Sequence, residues 1–97
     1  MKVTLLYFDD CPNWKDTDRM LQQLATELGY SLTHQQVTTH EEATRIGFRG
    51  SPTILVDGVD PFADPDAPTG LSCRVYTTPE GLRGSPSEEM LRRVFAG

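Results

Sequence analysis

Ile46-Gly47-Phe48-Arg49-Gly50-Ser51-Pro52-Thr53-Ile54-Leu55-Val56 is the stretch on which the fold turns. Gly47 marks the end of a short helix, because glycine enters the left-handed C-terminal cap without a Cβ clash. Thr53 to Val56 are strand formers in an unbroken run. Asp57-Gly58 then closes the strand with a turn signal. Upstream, Thr39-His40-Glu41-Glu42 has the capping-box pattern, Thr at the cap and Glu three residues on. It predicts a helix through Ala43 and Ile46.

The N-terminal part supplies the preceding unit. Val3-Thr4-Leu5-Leu6-Tyr7-Phe8 is nearly continuously apolar, as in a strand buried on both faces at the middle of a sheet. Asp9-Asp10-Cys11-Pro12 breaks it, and Pro12 suits the first position of a helix, where a missing N–H costs nothing. Trp14, Thr17, Leu21, Leu24, Ala25 and Leu28 recur at helical spacing, and Gly29 caps the end. Tyr30 to Val37 is a more polar strand with His34, Gln35 and Gln36, which fits a sheet edge. Strand, helix and strand at this spacing form a βαβ unit with parallel strands.

Beyond Val56 the pattern thins. Val59 to Gly70 mixes Asp60, Asp64 and Asp66 with Pro61, Pro65 and Pro68 and predicts no regular structure. Leu71 to Thr77 reads as a fourth strand with Leu71, Cys73 and Val75 on one face. Ser85-Pro86-Ser87-Glu88 is a second capping box, with Ser85 as its cap, opening a helix that turns Met90, Leu91, Val94 and Phe95 inward. The expectation is a single α/β domain over 1–97 in the order βαβα-ββα, with a four-stranded mixed sheet flanked by helices.

Composition narrows the function. The net charge of −5 opposes binding to nucleic acid or an anionic membrane. No apolar run approaches the ~20 residues needed to cross a bilayer. The first residues lack the apolar core and cleavage site of a signal peptide, so a cytoplasmic location is expected. In that compartment the chain's 2 cysteines are expected to be reactive or buried rather than a staple.

Cys-Pro after the first strand and Ser-Pro-Thr before the third give the chain a resemblance to the thioredoxin superfamily that covers most of its length. The motifs are Cys11-Pro12-Asn13-Trp14 and the Arg49-Gly50-Ser51-Pro52-Thr53 turn leading into an apolar strand. The resemblance implies a thioredoxin fold with Pro52 cis and facing Cys11. It extends to short single-cysteine members with a Cys-Pro-Asn-Trp start, a group sometimes labelled alkylmercury lyase. Cleaving a carbon–mercury bond needs paired thiols and a placed acid, of which Cys11 with Asp9 or Asp10 supplies part.

A thiol at a helix start is stabilised as thiolate by unpaired N–H groups and the positive end of the dipole. Asp9 and Asp10 oppose that charge in part. Cys11 is therefore the expected catalytic residue, with Pro12, Trp14, Ser51 and Pro52 around a substrate. The Ser51 N–H and C=O, beside a cis proline, are expected to pair with an extended peptide or glutathione. Where dithiol relatives carry a second cysteine this chain has Trp14, read as a core residue or else as a shield over the sulfur or a stacking surface for a ligand.

Resolution then falls to an external small thiol of glutathione type, with a partner protein disulfide as the other candidate substrate. The alternative is a non-catalytic module that holds a partner peptide or a soft metal. Cys73 is a possible second thiol. On a returning fourth strand, four residues at ~3.3 Å each put it well over ~10 Å from Cys11, beyond disulfide reach. Arg49 is expected to meet an anionic ligand or pair with Asp9 or Asp10. The aspartates around Val59–Gly70 lack the EF-hand pattern, and His34 and His40 lack paired cysteines at zinc-ligand spacing. No metal or cofactor is expected.

Overall fold

The fold is described by a computed structural model covering residues 1–96. Its elements are β1 (Lys2–Tyr7), α1 (Asn13–Leu28), β2 (Ser31–Gln36), α2 (His40–Ile46), β3 (Thr53–Val56), β4 (Tyr76–Thr78), β5 (Gly81–Arg83) and α3 (Glu88–Ala96). The class is α/β, as expected. The main sheet has three strands in the order β2-β1-β3, with β1 central, β2 parallel to it and β3 antiparallel. The apolar run thus lies in the middle and the polar strand at the edge.

β1 is covered on both faces. Val3 and Leu5 pack with Leu21 and Leu24 of α1, Ile54 of β3 and Leu91 of α3. Leu6 points the other way, toward Val37, Ala43 of α2 and Phe48. Burying each of the Val, Leu, Ile and Phe side chains here stabilises the fold by about 1.5–3 kcal/mol. The helix ends follow the residues read for them. The Thr39 hydroxyl accepts from the Glu42 N–H at 3.1 Å, and Gly29 and Gly47 cap α1 and α2 in the left-handed region. Pro12 is the N-cap of α1 rather than its first residue. Ser87, not Ser85, caps α3 and accepts from the Met90 N–H.

The four-stranded sheet is corrected to three. Leu71–Thr77 does not extend it: Cys73 makes a single parallel bridge to Ser51, and regular pairing resumes only in the β4–β5 hairpin, a separate two-stranded sheet. The cause is the route of the Val59–Gly70 segment. It holds no helix or strand and brings the chain back to the start of β3 before Cys73 is reached. There Gly70 donates to the Phe48 carbonyl and Ser51 donates to that of Ser72. The face read as Leu71, Cys73 and Val75 divides, with Leu71 against the Phe48 cluster and Val75 62% exposed.

Candidate functional site

β1 delivers Cys11 to the edge of the core. Past Tyr7 the chain turns, the Cys11 N–H donates to the Phe8 carbonyl, and α1 begins at Asn13 after Pro12. The helix has no side-chain cap, so its first-turn N–H groups favour negative charge nearby. β3, antiparallel to β1, sets Thr53 opposite Leu6 and so brings the preceding Ser51-Pro52 turn to the same end. That peptide bond is cis. The Cys11 Sγ lies 3.8 Å from the Ser51 carbonyl oxygen.

Cys73 is at this site as well. It forms a disulfide with Cys11, the Cα atoms 5.7 Å apart, which overturns the expected separation of well over ~10 Å. That separation assumed a returning strand that begins at the far end of β3, whereas Val59–Gly70 carries the chain back to Phe48 and Ser51 before Cys73. Arginines and aspartates redirect it. Arg74 pairs with Asp60 at 2.7 Å and donates to the Thr53 hydroxyl and the Phe62 carbonyl. Arg49 donates to the carbonyls of Asp64, Pro65 and Ala67. It thus ties down the loop, and among the described residues no bond joins it to Asp9 or Asp10. Asp60 and Asp64 also close turns by accepting from the Phe62 and Asp66 N–H groups.

The main chain of Ser51 is occupied rather than open. Its N–H donates to Ser72 O at 2.8 Å, and its carbonyl accepts from Arg74 N–H at 2.9 Å. The chain's own Ser72-Cys73-Arg74 thus lies where an extended ligand was expected. Gly50 makes the approach possible: its φ is +123°, and a Cβ there would stand 2.9 Å from the Arg74 Cβ. Tyr76 secures the far side by donating its hydroxyl to the Pro52 carbonyl. Arg74 lies over the Tyr76 ring at 4.6 Å. Burial raises the Tyr76 pKa far above its usual value, with the Arg74 charge opposing and that of Asp60 adding; the hydroxyl stays a neutral donor.

Of the other expected site residues, Ser51 and Pro52 are buried against the disulfide and Pro12 is exposed. Trp14 is half-buried, packed on the α1 cluster and stacked on Tyr7 at 4.3 Å. That matches the core reading. Its indole N–H and the Ser51 hydroxyl are buried without hydrogen-bond partners. A groove of about 600 Å³ borders Cys73, lined also by Arg49, Phe62, Arg74 and Tyr76. Arg74, Asp60 and Tyr76 were not singled out as functional from the sequence. The only hint was Gly50 beside the Ser-Pro turn, since a glycine there suits close approach of another backbone.

Among the described residues no group of three or more His, Cys, Asp or Glu is arranged to hold a metal, and no helix is long and apolar enough to cross a membrane. Comparison with protein-family models, with curated proteins and with solved structures gives no match.

Proposed function

We propose that this chain is a small thioredoxin-fold redox protein that exchanges disulfides through Cys11 and Cys73. The observation that carries the reading is the Cys11–Cys73 bond at a strand-to-helix turn, beside the cis Ser51–Pro52 peptide. Exchange needs one thiolate that attacks and one that completes the cycle. Trp14 removes the second thiol of the motif, and Cys73, arriving from a distant part of the chain, fills that role. The thiol reductant is then a small molecule of glutathione type or a partner protein. A cytosolic setting belongs to the same proposal, since thiols there are kept reduced by such pools. The test is a thiol-coupled disulfide reduction assay: turnover is expected from the native protein and lost in both Cys11→Ser and Cys73→Ser. Equal turnover in Cys73→Ser would restore a monothiol cycle with an outside resolving thiol.

The pairing of the two sulfurs also favours a second reading. Reduced, they are two soft donors at one place, the ligand type that soft cations select. A mercury-related or other soft-metal binding role answers to a different measurement. Stoichiometric Hg²⁺ uptake by the reduced protein, with no turnover in the disulfide assay, would favour it over redox exchange.

A further inference from the structure

The two sulfurs of the pair are unequally placed. Cys11 is 1% exposed, enclosed by the start of α1 and by the buried Ser51 and Pro52. Cys73 is an exposed residue and lines the groove of about 600 Å³. Displacement at a disulfide sulfur runs in line: the attacking thiolate must approach opposite the sulfur that leaves. A thiolate that attacks Cys11 needs room at a residue that is 1% exposed, whereas one that attacks Cys73 meets an exposed residue on a groove wall.

The leaving group agrees with the access. Attack on Cys73 expels the Cys11 thiolate, next to the uncapped first turn of α1, where anionic sulfur is favoured. A thiol of lower pKa leaves faster. Attack on Cys11 would expel a Cys73 thiolate without such a helix start.

We propose that Cys73 is the entry sulfur: a small thiol of glutathione type reaches it through the groove and forms its mixed disulfide there, releasing Cys11. This rests on the redox reading above and reverses the roles expected from the sequence, which put first contact at Cys11. In the first step the thiolate RS⁻ forms an RS–S bond to Cys73, the Cys11–Cys73 bond breaks, and the electron pair leaves on the Cys11 sulfur. A second RS⁻ attacks the sulfur of the bound R group, giving RSSR and a Cys73 thiolate. Two thiolates supply two electrons to the pair, and solvent protons complete the dithiol.

The experiment uses the oxidised native protein and glutathione as the probe. A brief reaction with limiting glutathione is quenched in acid, freed thiols are capped with a maleimide, and peptides are mapped by mass spectrometry. Glutathione on Cys73 with maleimide on Cys11 at the earliest times is the expected result. Glutathione on Cys11 with maleimide on Cys73 overturns the inference and leaves the redox reading standing. A disulfide that resists glutathione altogether also overturns the inference, and one that resists dithiothreitol as well overturns the redox reading. Ala63→Trp tests the path, because Ala63 is exposed on the groove wall. Several-fold slower adduct formation with an unchanged melting temperature supports it, and an unchanged rate overturns entry through the groove.

Discussion

The part of the chain that carries Cys11 and the part that carries Cys73 are held in place by different physics. Residues 2–56 fold around apolar side chains, with Val3, Leu5, Leu21, Leu24 and Ile54 all fully buried. Residues 57–83 contribute Tyr76 and Thr78 to the buried set and leave Val59, Val75 and Leu82 more than 60% exposed at 66%, 62% and 67%. Besides the packing of Phe62 and Leu71 and the Tyr76–Pro52 bond, that second region is held by one covalent bond, the Arg49 and Arg74 clamps and main-chain bonds to Phe48 and Ser51. A close-packed hydrophobic core responds as one unit, so damage to it is felt by the whole domain. A region held by a few specific ties is loosened locally when one of them is broken.

The largest effect should come from the core side. Phe48→Ala removes a fully buried ring and is expected to cost about 3–5 kcal/mol, read by chemical denaturation of the whole domain. A loss confined to 57–83 would contradict the division. Cys73→Ser comes next. The closed loop spans a sequence separation of 62, and its release is expected to cost about 2–4 kcal/mol. Hydrogen exchange should rise in 57–83 while β1 and α1 keep their protection.

Arg74→Met leaves Asp60 without its partner at a site where both side chains are largely covered, 9% and 17% exposed. About 2 kcal/mol is expected, below the range for a fully buried pair because some water remains. The same substitution should accelerate disulfide reduction by thiols; a rate at or below the native one would show that the clamp does not hold Cys73.

Tyr76→Phe should cost least, about 1 kcal/mol for one hydrogen bond. Its alkaline behaviour follows from the sign of the shift. Burial raises the folded-state pKa of Tyr76, and that of Tyr30 is pushed up to about 12 by the same cause. The folded chain therefore binds these protons more tightly than the unfolded one. That stability is intact below the ordinary phenol value near 10 and drains away as pH rises through the folded-state values. Tyrosinate absorbance of these two rings should appear together with unfolding. Ionisation of Tyr76 near pH 10 in a folded protein would mean the hydroxyl is not held against Pro52.

The same division decides what the sequence discloses. An unbroken apolar run identified β1 as central, polarity identified β2 as the edge, and helical spacing gave the stripe of α1 on which Trp14 packs. Thr39, Gly29 and Gly47 announced helix ends through local chemistry, and the Ser51–Pro52 turn announced itself by motif. Cys73 was misplaced because Leu71, Cys73 and Val75 alternate as a strand does, and nothing local distinguishes a strand from a strap. Its position depends on Arg74 meeting Asp60, 14 residues away, and on Arg49 meeting carbonyls 15 to 18 residues away. Such polar ties have no period. Arg49 in particular reads equally well as a solvated charge, a ligand contact or a clamp until the loop is in view.

Ser72-Cys73-Arg74 sits on Ser51 as a guest that belongs to the host. Cutting the disulfide does not send it away, because Gly70 and Arg74 still bond to Phe48 and Asp60. For a flexible tether of this kind the local concentration of the guest is on the order of millimolar. A foreign strand in the micromolar range competes for Ser51 at a thousandfold disadvantage before any difference in contacts is counted. Discrimination at this edge is therefore set first by connectivity: a strand on another molecule gains access in proportion to how far reduction and the loss of the Arg74 clamp let the tethered one swing clear.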